Sequence, residues 1–175
     1  MIHLRCVSIY LHFWLITAAI SSGISGCYSF TGAAVPQHWK TLAVPLFDDE
    51  SNYGEPGLRE RMTSAVIQKV QRDNILQLSD RSTSDVVLSG SITSIRADQP
   101  IAIDQGDQAR RFRIEVTCKV SLLDKVLKKQ VWEKQFTATG DYDASSNGAS
   151  QRQAGLQTAI DKISDDIVLE TISGW

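Results

Sequence analysis

Arg110-Arg111-Phe112-Arg113-Ile114-Glu115-Val116-Thr117-Cys118-Lys119-Val120-Ser121-Leu122-Leu123 is the stretch that decides how this chain folds. Phe112, Ile114, Val116, Cys118, Val120 and Leu122 take alternate positions, and Arg111, Arg113, Glu115, Thr117, Lys119 and Ser121 fill the gaps. Successive side chains of a strand point to opposite faces, so this period of two sends one set into a core and the other into water. Such a strand belongs in an antiparallel sheet covered on one side.

Working outward, Lys125 to Gln130 reads as a turn and Val131 to Gly140 as a returning strand, with Trp132 and Phe136 on one face. Before the central stretch, Asp85 to Ala97 reads as a strand. Val86, Leu88, Gly90, Ile92 and Ser94 lie on one side, and Val87 and Ile95 on the other. Thr41 to Phe47 reads as a first strand, and Pro45, which lacks an N–H, makes it an edge or places a bulge there. Asp48 to Gly54 reads as a turn. A helix is expected from about Pro56, with Leu58, Met62, Val66 and Val70 on a buried stripe widened by Ala65 and Ile67, ending at Asp73-Asn74. Asp141 to Ala149 reads as a polar loop. Ser150 with Gln153 resembles a capping box ahead of a second helix whose stripe is Leu156, Ile160, Ile163 and Ile167. The order β-α-β-β-β-α predicts an α+β fold, a two-layer α/β sandwich with a mainly antiparallel four-stranded sheet and two helices on one face. Strand order in space is left open by this pattern.

The start of the chain carries a different signal. Arg5 is the only formal charge before Cys27, and apolar residues dominate from Cys6 to Ile20. Small residues follow, ending in Ile24-Ser25-Gly26-Cys27. A charged start, a short apolar stretch and small residues at a cut describe a secretory signal. An aliphatic residue three before a cysteine resembles a lipobox, so residues 1–26 are expected to be removed and Cys27 to be acylated. Residues 27–40 then form a lipidated tether and 41–175 a single domain. Several acyl chains give the stable anchoring that one chain does not. Residue 28 is Tyr, not Asp, which by resemblance favours the outer membrane, with the domain on its periplasmic face.

Composition narrows the chemistry. The chain has 18 basic residues, and losing Arg5 leaves 17 against 20 acidic ones, so no nucleic-acid partner is expected. His3 and His12 leave with the signal, and His38 remains as the one histidine of the processed chain. Cys118 is then without a disulfide partner and reads as a small core residue. No zinc set can be assembled. Asp141-x-Asp143-x-Ser145-x-Asn147 fails as a calcium loop, because Ser146 stands where glycine is needed and Arg152 where a bidentate glutamate is needed. Asp48, Asp49 and Glu50 read as an acidic turn. No cofactor is expected, and an enzyme is disfavoured. Arg111, Arg113 and Lys119 share the wet side of the central strand; arginine forks suit phosphate groups. Ordinary cross-strand charge is the more economical reading of each one singly.

Cys27-Tyr28-Ser29-Phe30-Thr31-Gly32, Lys40 to Phe47, Leu88 to Ile92, Arg111 to Val116 and Trp132 to Phe136 together resemble, in order, the LptE family of lipopolysaccharide-assembly lipoproteins in its divergent Bacteroidota and Chlorobiota-like form. The resemblance implies an α/β sandwich that acts as plug and assembly partner of the large outer-membrane β-barrel LptD and binds lipopolysaccharide. It carries over one residue, the acylated Cys27. Arg111, Arg113 and Lys119 as lipopolysaccharide ligands rest on strand geometry alone. The competing expectation is another small envelope lipoprotein, a scaffold or accessory subunit of an outer-membrane insertion or transport complex.

Overall fold

The structure is a computed structural model that describes residues 35–103, 109–143 and 148–174. Cys27 and the signal segment lie outside the described residues. Among those described there are six strands and two helices: β1 (Thr41–Ala43), β2 (Asp48–Asp49), α1 (Leu58–Asp73), β3 (Gln77–Leu78), β4 (Val86–Ile103), β5 (Ala109–Asp124), β6 (Lys129–Asp143) and α2 (Gly148–Ser173).

Long antiparallel strands β4, β5 and β6 form a meander, and its registers place Leu88, Leu122 and Trp132 in one row and Ile92, Cys118 and Phe136 in another. The alternation in the central strand is therefore correct: Ile114, Val116, Cys118, Val120 and Leu122 are all buried. Leu58, Met62, Val66 and Val70 of α1 and Leu156, Ile160, Ile163 and Ile167 of α2 enter the same core. Both helical stripes expected from the sequence are buried.

The four-stranded, mainly antiparallel sheet is not what forms. The sheet has six strands in the order β3-β1-β4-β5-β6, with β2 also on β4, and the pairs β1–β3, β1–β4 and β2–β4 are parallel. Pro45 is the physical reason for part of this. It cannot donate to a ladder, so the expected strand Thr41–Phe47 stops at Ala43 and the chain resumes pairing at Asp48, inside what reads as a turn. The gap leaves the backbone of Phe47 without strand partners, and α1 supplies them. Thr63 Oγ1 accepts the Phe47 N–H at 3.0 Å, and Arg59 Nε donates to its carbonyl at 2.8 Å. The Phe47 ring is fully buried, over Gly90, where a Cβ would come within 2.3 Å of the ring. The two-residue β3 carries no periodicity that a sequence could show.

Other boundaries shift as well. β6 runs on to Asp143 and α2 begins at Gly148, so Ser150 lies inside the helix and not at its cap. α1 begins at Leu58 after Gly57 in the left-handed region (φ 70°) and ends on Asn74 (φ 50°), whose N–H donates to the Val70 carbonyl. Residues Val35 to Lys40, expected as the end of a tether, pack on the domain, with Trp39 in its core.

Asp85 fastens the start of β1 to the start of β4. Its Oδ2 accepts the N–H groups of Lys40 (2.8 Å) and Thr41 (2.9 Å) and the Thr41 hydroxyl (3.0 Å). Those N–H donors hold its carboxyl below the usual range. β6 is a long sheet edge, and such edges invite pairing with other chains. Lys162 of α2 reaches over this one and donates to the Thr139 carbonyl at 2.8 Å.

Candidate functional site

The face of the sheet opposite the helices carries the outward set of the alternating pattern. At one end Arg113 forms a two-pronged pair with Asp141 on the neighbouring strand, Nε to Oδ1 at 2.8 Å and a second nitrogen to Oδ2 at 3.2 Å. Arg111 lies 3.6 Å from Asp143 and 4.0 Å from Asp141. Arg96 and Glu115 follow at 3.4 Å. The middle is neutral, with the hydroxyls of Thr117 and Thr137 3.2 Å apart. Beyond it Lys119 and Glu133 pair at 2.7 Å. That pair borders a shallow depression of about 340 Å³ lined also by Glu50, Ser89, Ser91 and Ser121.

Two of these pairs, Arg113 with Asp141 and Lys119 with Glu133, favour the ionised form of both members. The Arg113 hydrogen bonds hold the Asp141 carboxyl below its ordinary range, and the same contact raises the arginine further. Glu133 is lowered and Lys119 raised by their shared hydrogen bond. The result is a solvent-facing band of alternating charge in which Arg96, Arg111 and Arg113 each already face a carboxylate. Such a face suits polar contacts with a large partner.

A second cluster lies where the chain enters the domain. Asp124, at the end of β5, is 2% exposed. Its Oδ2 accepts Trp39 Nε1–H and His38 Nε2–H, both at 2.7 Å, and its Oδ1 accepts the Leu127 N–H at 2.8 Å. His38 is thus part of a buried-carboxylate knot. Sequence reasoning missed this cluster, because nothing local marks Asp124 as the partner of Trp39, 85 residues earlier.

A family model, LptE, described as lipopolysaccharide-assembly, matches residues 39–171. The chain belongs to the LptE family. The match begins at Trp39, inside the Asp124 knot, and runs through both helices and every strand. No curated protein matches the sequence. Among solved structures, a protein from Xanthomonas campestris is similar with a TM-score of 0.58 at 13% identity, over 77% of this chain and 83% of that one. A hypothetical protein from Chlamydia trachomatis gives a TM-score of 0.57 at 9% identity, over 76% and 95%. A minor lipoprotein from Acinetobacter baumannii gives 0.52 at 11%, over 76% and 92%. At these identities the likeness is one of fold.

LptE-family membership supports the expectation of a lipopolysaccharide-assembly lipoprotein that is not an enzyme. Of the residues singled out from the sequence, Arg111 and Arg113 do sit side by side at one end of the open face. Lys119 does not join them: six residues along a strand is about 20 Å. The burial of Cys118 agrees with its expected core role, and that burial pushes its thiol up to about 12.

Proposed function

We propose that this LptE-family chain is an outer-membrane lipoprotein, held on the periplasmic face by acylation of Cys27, that serves as plug and assembly partner of a large LptD-like β-barrel and contacts lipopolysaccharide through its open sheet face. The observation that carries the reading is the family match over 133 consecutive residues, 39 to 171. The hydrated, charge-paired face supports it, because a barrel lumen is polar and a plug must present polar surface to it. No described helix is long and apolar enough to cross a membrane, so attachment through a lipidated N-terminus supplies the anchor this reading needs.

Affinity purification of the full-length lipoprotein from detergent-solubilised outer membranes tests the partner directly. A large β-barrel is expected to co-purify, and its absence from a membrane-anchored preparation sinks the plug reading. Replacing Cys27 by Ser is expected to abolish incorporation of labelled palmitate and release the domain from the membrane fraction.

Lipopolysaccharide contact has a sharper test in the ion pairs. Phosphate groups must compete with Asp141 for the Arg113 fork, so Asp141→Ala is expected to strengthen lipopolysaccharide binding while Arg111→Ala with Arg113→Ala weakens it. Equal binding by all three folded proteins, measured by titration against labelled lipopolysaccharide, would remove these arginines from the site.

A further inference from the structure

The turn between β5 and β6, Lys125-Val126-Leu127-Lys128, has an unusual composition for its position. Hairpin connections are built from Gly, Asn, Asp and Ser. Here two large aliphatic side chains occupy the tip, Val126 at 53% and Leu127 at 63% exposure, with Leu123 at 39% just behind them. Lysines flank them at 125, 128 and 129. Lys128 and Lys129 make no ion pair among the described residues.

The turn is also held firmly. Asp124 accepts the Leu127 N–H, Lys125 N–H donates to the Asp85 carbonyl at 2.8 Å, and Lys125 Nζ donates to the carbonyls of Arg81 and Ser82. Lys128 takes the left-handed conformation (φ 52°) that lets the chain turn back. The exposed side chains are thus presented on a rigid tip.

The position of that tip gives it meaning. Its supporting carboxylate, Asp124, is the one that grips His38 and Trp39, so the hairpin lies at the end of the domain where the chain enters. Seven residues separate Cys27 from Val35, and the eight residue steps between them extend at most about 28 Å. An acylated Cys27 therefore keeps this end of the domain close to the leaflet holding its acyl chains.

We infer that the β5–β6 hairpin is a membrane-surface contact: Val126 and Leu127 enter the headgroup boundary of the anchoring leaflet, while Lys128 and Lys129 meet the phosphates of anionic phospholipids. Charge selects this occupant. Aliphatic tips rimmed by lysine match an apolar layer beneath a negative surface. The inference rests on the proposed acylation of Cys27, and it makes the anchor one of two attachments. The second would fix the orientation of the domain, which a single point of attachment leaves free.

The test uses the full-length lipoprotein carrying Leu127→Cys labelled with an environment-sensitive fluorophore. Cys118 is buried and stays silent, and an acylated Cys27 has no free thiol. The protein is reconstituted into vesicles of phosphatidylethanolamine with phosphatidylglycerol, or of phosphatidylcholine alone, each doped with spin-labelled lipid. A label at Gln135→Cys, on exposed β6, serves as the reference. The Leu127 label is expected to be quenched several-fold more than the reference, more strongly in the anionic vesicles, and Lys128→Glu with Lys129→Glu is expected to erase that preference. Protein that floats with the vesicles but shows equal quenching at both positions overturns the hairpin contact and leaves the anchor standing. Protein that fails to float, with Cys27 open to labelling, overturns the anchor and this inference with it. A Leu127 label shielded from an aqueous quencher yet unquenched by lipid assigns the tip to a protein partner, also against the inference.

Discussion

Gly140→Ala is expected to be among the most damaging single substitutions in this domain. Gly140 of β6 faces Gly155 of α2 backbone to backbone, and a Cβ at 140 would stand 1.8 Å from the Gly155 carbonyl oxygen. Neither partner is a flexible side chain that can swing aside, so the 26-residue α2 must lift from the sheet. Core overpacking costs about 1–3 kcal/mol, and a rigid backbone neighbour puts this site at about 3 kcal/mol. For a domain of this size that corresponds to a fall in Tm of about 6–12 °C. Gly148→Ala is the control, because nothing lies within 4 Å of a Cβ there, and it is expected to change stability by less than about 0.5 kcal/mol. Thermal unfolding of the two variants side by side decides the matter. A Gly140→Ala protein that melts with the wild type would mean that α2 has room the packing does not show.

Asp124 is the second site of large effect. Its removal strands the buried indole N–H of Trp39 and frees the Leu127 amide that shapes the hairpin. Hydrogen bonds to a charged group are worth about 1.5–3 kcal/mol, and an abandoned buried donor adds to the loss, so Asp124→Ala is expected to cost about 3 kcal/mol. Asp124→Asn keeps an acceptor for Leu127 and is expected to cost less. Burial alone would raise the Asp124 carboxyl, but the donors from Leu127, His38 and Trp39 outweigh it and the group is lowered. A carboxyl lowered in the folded state stabilises above its unfolded value, near 4, and that contribution disappears as pH falls through the folded value. The gap in urea midpoint between wild type and Asp124→Asn should therefore be wide at about pH 7 and narrow towards about pH 3. A gap independent of pH would show that the knot does not depend on the charge of Asp124.

What could be read from the sequence followed one rule. Wherever burial on one side repeats over many residues, as in Arg110 to Leu123 or along Leu156 to Ile167, the period names both the element and its inner face. Short elements escaped that rule: β2 and β3 have two residues each, and no period fits in two residues. Parallel pairing escaped it too, because the partner of Leu42 is Val86, chosen by packing across the whole core and by the Asp85 clamp. The candidate face was legible to the same extent. Alternation placed Arg111, Arg113 and Lys119 outward, yet their carboxylate partners come from β6, and register between strands is not written in either strand alone. His38 shows the cost of local reading most plainly, since its role is set by a residue 86 positions later.

The parallel placement of β1 beside β4 has a mechanical side. If the domain is held at the membrane by its N-terminal segment, any tug along that segment arrives first at the Asp124 knot and the Asp85 clamp, and then at Thr41. From there β1 runs away from the point of loading, with β3 on one side and β4 on the other. A pull along the strand axis must first draw out the buried Trp39 side chain and then shear both ladders together. An antiparallel hairpin entered at its open end would instead unzip one bond at a time. Under such loading, the arrangement lets a short strand transmit force from the N-terminal segment into the centre of the sheet.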